Sequence, residues 1–169
     1  MLYLAGDNDL SYAMEEAIER LESAVIPANV QVLVLFDGYM TNYSSKFLVQ
    51  PGGEYTLGVN KWFLGETNTG DPKTLSDFVT WGRENYPADY YYVSIASHGR
   101  GTSGLAEDET NGEDPLTPAE LYHAFDVATD SGQWKIDVLH YDACLMNLLE
   151  NAFEVQDFAR YWISLQNLG

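Results

Sequence analysis

The chain has 169 residues, and its 26 acidic against 8 basic side chains give a formal net charge of -18 at pH 7. This acidity excludes nucleic acid and anionic membrane surfaces as partners, because both attract positive charge. Hydrophobic residues make up 46% of the chain, enough to bury one core, so we expect a single domain over residues 1–169. The sequence has no apolar run of about 18 residues, which excludes membrane insertion, and its single cysteine excludes an intrachain disulfide.

Five apolar runs alternate with helical patterns along the chain. They are residues 1–5, 30–36, 90–96, 136–141 and 161–164. This alternation is typical of an α/β fold, with a mostly parallel sheet covered by helices on both faces. The second and third runs are almost continuously apolar, as strands buried on both faces are. We therefore expect these two strands at the centre of the sheet.

Three helices have recognisable starts. Ser11 is the predicted N-cap of the first helix, and Asp71, followed by proline, is that of the second. Thr117 opens the third helix, with Glu120 as its capping-box partner. A fourth helical pattern covers residues 145–158.

Two segments between these elements have other compositions. Residues 44–57 contain two short apolar stretches around a Pro-Gly-Gly sequence, which predicts a hairpin at the sheet edge. Residues 100–115 are rich in glycine and acidic side chains and contain few apolar ones, which predicts a long mobile loop.

Ligands of an open parallel sheet bind beyond the carboxyl ends of its strands. His98 follows the third apolar run and Cys144 follows the fourth, where a helical pattern begins and favours the thiolate. A thiolate beside an imidazole is the minimal nucleophile and base of a cysteine peptidase. Gly99 allows close approach of a substrate backbone, and its N–H and that of Cys144 are candidate donors to an oxyanion.

These residues also have structural interpretations. A lone cysteine is often a buried small hydrophobe, and a histidine at a strand end often bonds to a loop. His140 lies four residues before Cys144 on an extended strand, roughly 13 Å away, which favours a satisfied histidine on the sheet face. His123 lies off the apolar stripe of its helix and is predicted to be solvated. None of the three has the spacing of a zinc motif, so no metal ligand is assigned.

The sequences around His98 and Cys144, Ser-His-Gly and Asp-Ala-Cys-Leu-Met, resemble those of the clostripain family of cysteine peptidases. Residues 3–10 and 114–121 are also similar to that family, so the resemblance covers nearly the whole chain. It implies the three-layer sandwich shared by caspases, gingipains, legumains and metacaspases. Members of the family continue beyond the fifth core strand. We therefore expect a caspase-like peptidase domain that is truncated there and incomplete at both ends.

The resemblance implies an endopeptidase that cleaves after Arg or Lys through a thioester intermediate. In that mechanism His98 is the general base and acid, and Cys144 is the nucleophile. Asp142, two residues before Cys144, would lie in the primary specificity pocket and pair with the basic substrate side chain. A carboxylate near the thiol suits this role because it binds a guanidinium. Its structural alternative is a cap at the strand end.

Further expectations come from the same resemblance. The substrate would be a protein or peptide with a basic side chain, the chemistry would need no cofactor, and the protein would be secreted or on the cell surface. A companion chain or a missing C-terminal segment would complete the domain. Calcium is an option because residues 107–114 are acidic, although they match an EF-hand loop incompletely. Activating cleavage between His98 and Cys144 would have to use Arg100 or Lys135, the basic residues of that stretch.

Two other functions remain open from the sequence. A catalytically silent caspase-like module would bind basic peptides without cleaving them. Alternatively, Asp7, Asp9 and Asp37 follow neighbouring strands and would hold Mg²⁺ for phosphoryl transfer. The second alternative is the weaker, because the sequence has no Gly-rich phosphate loop ending in Lys.

Overall fold

A computed structural model describes residues 1–39 and 44–167 of the chain. In this part of the chain the strands are β1 (Leu2–Gly6), β2 (Leu33–Gly38), β3 (Ser44–Leu48), β4 (Lys61–Gly65), β5 (Tyr92–Ala96), β6 (Leu105–Asp108), β7 (Asp114–Leu116), β8 (Ile136–Asp142) and β9 (Ala159–Ser164). The helices are α1 (Ser11–Ser23), α2 (Pro72–Asn85), α3 (Pro118–Ala128) and α4 (Leu149–Val155).

Seven strands form one sheet in the order β4-β3-β2-β1-β5-β8-β9. The five predicted core strands are confirmed: β2, β1, β5, β8 and β9 run parallel to one another. As predicted, β2 and β5 lie inside the sheet, on either side of β1. β2 begins at Leu33 instead of Val30, whose side chain is 46% exposed.

Helices cover both faces of the sheet, which confirms the predicted three-layer α/β architecture. α1 packs on one face, where Met14 joins a cluster with sheet residues such as Phe36. The other three helices cover the opposite face through Phe78, Phe125 and Val155. No helix in the described part of the chain is long and apolar enough to cross a membrane.

Two of the three predicted helix caps are confirmed. The Asp71 carboxylate accepts a hydrogen bond from the N–H of Lys73 at 2.7 Å, and Thr117 and Glu120 form the reciprocal capping box. The prediction for Ser11 is wrong, because Ser11 is already the first helical residue and Leu10 precedes it without a side-chain cap.

The predicted edge hairpin exists with a different second strand. β3 pairs antiparallel with β4, so the returning strand is Lys61–Gly65 and not the apolar stretch at residues 55–57. The Pro-Gly-Gly sequence forms a 3₁₀ turn, Pro51–Gly53, in which Gly52 has a φ of 71°. The expected position at the sheet edge is confirmed.

The prediction that residues 100–115 form one long loop is wrong, because the segment contains strand structure. β6 and β7 lie within or next to this segment and pair antiparallel. Leu105 and Ala106 are buried and join the main core together with Leu116. These few apolar side chains suffice to dock the segment, because they pack into the same core as residues of the sheet and of three helices.

Candidate active site

The predicted site residues lie at the carboxyl edge of the sheet, just beyond β5 and β8. These strands are parallel neighbours in which Ala96 lies opposite Asp142. The N–H of Ser97 donates to the carbonyl oxygen of Asp142 at 3.4 Å, which carries the pairing past the end of β5. His98 and Cys144 each follow the last paired residues by two positions. Since paired strands lie about 4.8 Å apart, the fold brings these two backbones to one short stretch of the edge.

The backbone of Gly99 packs directly against that of Cys144. A Cβ added to Gly99 would lie 2.3 Å from the carbonyl oxygen of Cys144 and 3.0 Å from the Cβ of Ala143. The first distance is far inside van der Waals contact with a backbone atom, so this position admits only glycine. The sequence analysis expected Gly99 to admit a substrate backbone. In the structure the backbone that approaches Gly99 is the protein's own, at the end of β8.

An isolated antiparallel bridge joins Gly99 to Leu105. Its hydrogen bonds come from the neighbouring residues: the N–H of Arg100 donates to Gly104, and the N–H of Ala106 donates to His98. The bridge therefore does not use the N–H of Gly99. This arrangement is compatible with the predicted role of that N–H as an oxyanion donor.

The imidazole of His98 contacts a carboxylate that the sequence analysis assigned elsewhere. Nε2 of His98 lies 2.5 Å from Oδ1 of Asp9, and the two side chains are 44% and 80% exposed. Asp9 follows β1, the other strand neighbour of β5. The sequence shows that Asp9 and His98 each follow a predicted strand. It does not show that these two strands are neighbours in the sheet, so the contact could not be predicted from it.

Asn8, which the sequence analysis passed over, anchors the loop that carries Asp9. Its side chain is 2% exposed, and its amide nitrogen donates to Ala5 O at 3.0 Å, Glu107 O at 3.1 Å and Ser97 Oγ at 3.3 Å. One amide thus joins the ends of β1 and β5 to β6. This anchoring holds the preceding and following aspartates in place.

Cys144 follows β8 in a partly buried position. The next residue, Leu145, has a φ of 61°, a left-handed conformation that costs roughly 1–2 kcal/mol for a residue with a Cβ. The predicted helix over residues 145–158 is too long, because α4 spans only Leu149–Val155. Cys144 is therefore not at a helix N-terminus, and the argument that a helix dipole favours its thiolate is wrong.

Asp142 is the last residue of β8 and is exposed. It lines a cavity of about 500 Å³ between α1 and the sheet. Leu10 and Met14 of the α1 side contribute apolar walls, and Ala96 and Ser97 contribute the end of β5. Arg20 of α1 also lines the cavity, which thus combines one carboxylate and one guanidinium with apolar surface, close to the edge that carries His98 and Cys144.

The other two histidines have the structural roles predicted for them. Nδ1 of His140 lies 2.6 Å from the hydroxyl of Tyr92 and 3.4 Å from that of Ser94, both on the adjacent strand β5. His123 is exposed on α3. Neither histidine lies with Cys144 at the end of the sheet.

A second group of side chains gathers near the end of β1. Asp7, Asp37, Glu66 and Asp108 each offer one carboxylate oxygen, and these oxygens all lie within 4.8 Å of one another. Burial and the nearby carboxylates raise the pKa of Asp37 to about 8, and burial also raises the pKa of Asp7. Of the three aspartates predicted to hold Mg²⁺, the structure joins Asp7 and Asp37, whereas Asp9 lies beside His98.

Comparisons with known proteins support the family resemblance and the fold. The family model of the clostripain family matches residues 2–167. Clostripain of Hathewaya histolytica is 29% identical over 99 residues, which cover 53% of this chain and 19% of that protein. A secreted C11 cysteine protease from Bacteroides thetaiotaomicron, solved in complex with an irreversible peptide inhibitor, is 25% identical with a TM-score of 0.76. That match covers 95% of this chain and 46% of the solved one.

A likeness in fold extends to more distant structures. An inactive zymogen C11 protease from Parabacteroides distasonis has a TM-score of 0.70 at 20% identity, over 96% of this chain and 46% of its own. The chain thus spans about half the length of these solved proteins and about a fifth of the curated one. Both solved proteins share the α/β sandwich, which confirms the predicted fold class.

Proposed function

The chain belongs to the clostripain family, and from this premise we propose that it carries the catalytic core of a cysteine endopeptidase that cleaves after Arg or Lys. One observation carries the proposal: the ends of β5 and β8 meet so closely that Gly99 packs against the carbonyl oxygen of Cys144. Because His98 directly precedes Gly99, this contact brings His98 and Cys144 to the same edge of the sheet. A Cys/His dyad requires such a meeting of a nucleophile and a base.

In the proposed mechanism, His98 accepts the proton of the Cys144 thiol, and the resulting thiolate attacks the carbonyl carbon of the scissile peptide bond. The N–H groups of Gly99 and Cys144 donate hydrogen bonds to the oxyanion that forms. His98 donates a proton to the leaving amine as the C–N bond breaks, and a thioester remains. Water then gives up a proton to His98 and attacks the thioester, which releases the acid and restores the thiol.

Asp9 has a positioning role in this mechanism. Its carboxylate engages Nε2 of His98, so Nδ1 is the ring nitrogen that exchanges protons with the substrate. The carboxylate would also stabilise the imidazolium that forms when His98 accepts a proton, as the third group of a catalytic triad does. Asp9 therefore acts through His98 and does not touch the substrate.

The proposed preference for Arg or Lys rests on Asp142 and the cavity that it lines. The carboxylate supplies a partner for a guanidinium or ammonium group, and the apolar walls near Leu10 and Met14 suit the aliphatic part of the same side chain. The substrate proposed here is accordingly a peptide or protein with an accessible basic residue. We also propose secretion or a cell-surface location, since a solved relative is described as a secreted protease.

The decisive experiment compares Cys144→Ala and His98→Ala with the parent protein on a fluorogenic peptide ending in Arg. Each variant should lose at least about 10³-fold in kcat, because the nucleophile and the base act as one unit. His123→Ala is the matched control and should keep the parental rate, since His123 is exposed on α3. Parental activity in either site variant would overturn the assignment.

The silent-module alternative makes a different prediction for the same assay. A silent module would bind the Arg peptide without hydrolysing it, and its cysteine would react with iodoacetamide no faster than an ordinary thiol. The dyad proposed here predicts faster alkylation of Cys144 and loss of activity in step with it.

We further propose that a companion chain or a C-terminal segment completes this domain. On the face that carries α1, the part of the sheet formed by β8 and β9 exposes large apolar side chains. Tyr161 is 70% and Ile163 49% exposed, and Tyr92 on β5 is 43% exposed. Contiguous apolar surface of this kind is typical of surfaces that another segment covers.

The completed and uncompleted forms should differ in dye binding. The chain alone should bind a hydrophobic dye at this face and should be less active than the completed protein. Equal activity and an absence of dye binding in the chain alone would refute the companion proposal without touching the assignment of the dyad.

The proposed chemistry uses only side chains, backbone N–H groups and water, so it needs no cofactor. Within this proposal, calcium is a ligand of the carboxylate cluster near β1 and takes no part in hydrolysis. Asp108 of the acidic segment at residues 107–114 belongs to that cluster.

A further inference from the structure

The short helix α4 carries apolar side chains on its solvent side, close in sequence to the proposed nucleophile. We propose that Leu145, Leu149 and Phe153, together called the α4 surface, bind an apolar side chain of the peptide substrate at a residue that flanks the scissile bond. This inference rests on the proposed peptidase function and deepens it, because it adds a second recognised substrate residue to the basic one.

The polarity of α4 is the reverse of that of an ordinary surface helix. Leu149 is 83% and Phe153 66% exposed, whereas Asn151 is 2% exposed. Leu149 and Phe153 are four positions apart, so they lie on one side of the helix. A surface helix normally turns its apolar side chains to the core and its polar ones to water. Apolar side chains that adjoin one another in water are typical of a binding surface.

The buried amide of Asn151 ties α4 to both loops of the proposed dyad. Its nitrogen donates to the carbonyl oxygen of Met146 at 2.9 Å and to that of Gly101 at 3.4 Å. Met146 follows Cys144 by two positions, and Gly101 follows His98 by three. These two hydrogen bonds hold the α4 surface in position relative to the nucleophile and the base.

Leu145 connects the α4 surface to Cys144, which it follows directly. Its φ of 61° is a left-handed conformation that glycine adopts freely and leucine adopts only at a cost. Its side chain is 42% exposed, so it gains little from the core in return. Backbone strain of this kind is concentrated at functional sites. The conformation and the exposure of Leu145 therefore favour a contact with the substrate.

The occupant that this position favours is the substrate chain itself. With its scissile carbonyl carbon at Cys144, an extended peptide advances about 3.3 Å per residue. Substrate residues one to three positions from the scissile bond therefore lie roughly 3–10 Å from the nucleophile. The Cα atoms of Leu145 and Cys144 are themselves only about 3.8 Å apart. Substrate residues on one side of the scissile bond thus come within reach of the α4 surface.

The companion segment proposed above would occupy a different surface. It would cover the sheet face that carries α1, where Tyr161 and Ile163 are exposed. α4 packs on the opposite face through Val155, which belongs to the main core. The two apolar surfaces therefore need two occupants, and the α4 surface is the one whose first residue follows Cys144.

The chemistry of the α4 surface selects an apolar substrate residue. Leucine and phenylalanine side chains have no hydrogen-bond donor or acceptor, so a polar substrate side chain would lose water there without gaining a partner. An aliphatic or aromatic side chain gains instead from the apolar area that it removes from water. We expect leucine to be preferred to glycine at one flanking position by roughly tenfold in kcat/KM.

The test measures kcat/KM on internally quenched peptides that contain one Arg. Each of the three positions on either side of the scissile bond carries glycine or leucine, and leucine at one of them should give the roughly tenfold preference in the parent protein. Leu149→Ala and Phe153→Ala should each lower this ratio to less than about threefold. Circular dichroism checks that both variants fold, as expected for side chains that are mostly exposed.

Val127→Ala is the matched control, because Val127 is an apolar residue of α3 that is 50% exposed. It should keep the parental ratio. Acetyl-arginine methyl ester, which has no flanking residue, separates this inference from the proposed function. If the parent protein hydrolysed the ester but showed no preference for leucine at any position, the inference would be wrong and the peptidase assignment would stand. Hydrolysis of neither the ester nor any peptide would overturn both.

The variants also distinguish substrate binding from a structural role of α4. If Leu149→Ala and Phe153→Ala lowered kcat/KM equally on the glycine and leucine peptides, the α4 surface would contact another part of the protein and not the substrate. That result would overturn the inference. A loss of the leucine preference in Val127→Ala as large as in the two α4 variants would overturn it too.

Discussion

Asp9 is an exposed carboxylate whose significance depends on a single contact with His98. The two residues meet because β1 and β5 are neighbours, and the contact engages Nε2 and leaves Nδ1 for the proposed proton transfer. A group that orients a catalytic base affects the rate of the chemical step more than the binding of the substrate. This difference separates a positioning role from a merely structural one.

We expect Asp9→Asn to lower kcat by roughly 10- to 100-fold with little change in KM, because a misplaced base slows proton transfer. Asp9→Glu should restore part of the loss, since it returns a carboxylate to the same side of the imidazole. Steady-state kinetics on an Arg peptide provide the measurement, with Glu19→Gln on the exposed side of α1 as the control. An unchanged kcat in Asp9→Asn would show that His98 does not need this carboxylate.

Gly99 gives a second prediction at this scale. In Gly99→Ala the new Cβ would lie 2.3 Å from the carbonyl oxygen of Cys144, so the ends of β5 and β8 must move apart. Such overpacking should lower the free energy of unfolding by about 1–3 kcal/mol and abolish most of the activity. Urea denaturation and the peptide assay measure the two effects.

Gly52→Ala serves as the control for Gly99→Ala. Gly52 has no neighbour within 4 Å of an added Cβ, and its φ of 71° costs only about 1–2 kcal/mol of backbone strain. The control should lose some stability and keep its kcat. If Gly99→Ala retained the parental kcat, the close approach would not be part of the site.

The sequence predicted the candidate site only as far as strand ends reveal it. His98, Gly99, Asp142 and Cys144 all follow apolar runs, so a rule about parallel sheets finds them. The same rule does not reveal that Asp9 contacts His98. Its contact depends on the path of the loop after β1, and sequence spacing alone does not determine that path.

At the scale of the elements, the loop after β1 connects several strands and a helix. Asn8 joins the ends of β1 and β5 to β6 through one buried amide. Its carbonyl side-chain oxygen also accepts from the N–H of Leu10 at 3.0 Å, next to the first residue of α1. The hydrogen bonds of this one side chain therefore connect the ends of three strands with the start of a helix.

Asn8→Ala should lower the free energy of unfolding by about 2–3 kcal/mol, because it removes the buried amide hydrogen bonds to the carbonyl oxygens of Ala5 and Glu107. Of these two acceptors, the Ala5 oxygen keeps the hydroxyl of Ser97 as a donor. Asn85→Ala is the matched control. Asn85 also donates to a backbone carbonyl, that of Trp81 at 2.9 Å, but it is exposed at the end of α2 and should cost less than about 1 kcal/mol. Urea denaturation measures both, and equal effects would show that Asn8 does not link these elements.

Helix starts could be predicted where a side chain makes the cap. Asp71 and Thr117 bond to the N–H groups of their own helices, so a few adjacent residues determine the structure. The fourth helix failed as a prediction because its apolar spacing continues through residues 145–148, where the backbone turns instead. There Asn151 donates to the carbonyl of Met146 at 2.9 Å, a contact that local propensity does not encode.

At the scale of the whole molecule, the pattern of apolar runs predicted the sheet better than it predicted the segments that connect its strands. The alternation of apolar runs and helical patterns predicted the parallel core and its two helical layers. The prediction for residues 100–115 was wrong because the segment has few apolar residues, but two of them, Leu105 and Ala106, are buried in the main core. Tertiary burial, which composition does not report, converts that segment into β6 and β7.

The net charge of -18 also has a more specific meaning in the folded molecule. Four of the acidic side chains crowd into one cluster, and Asp9 and Asp142 lie at the neighbouring edge of the sheet. A field of this sign attracts cations of both kinds proposed here, a metal ion and a basic peptide. The same charge that excluded nucleic acid thus favours both proposed ligands.

Among the residues that the structure describes, β9 is the last strand of the sheet and pairs on one side only, with β8. Every second amide along its outer edge therefore points away from the sheet, and these amides should exchange hydrogen with water far faster than their inward neighbours. An unpaired edge is also a template for strand addition from another molecule. The strand that ends this sheet is thus where a further strand could continue it, and where chains lacking that strand would begin to associate with one another.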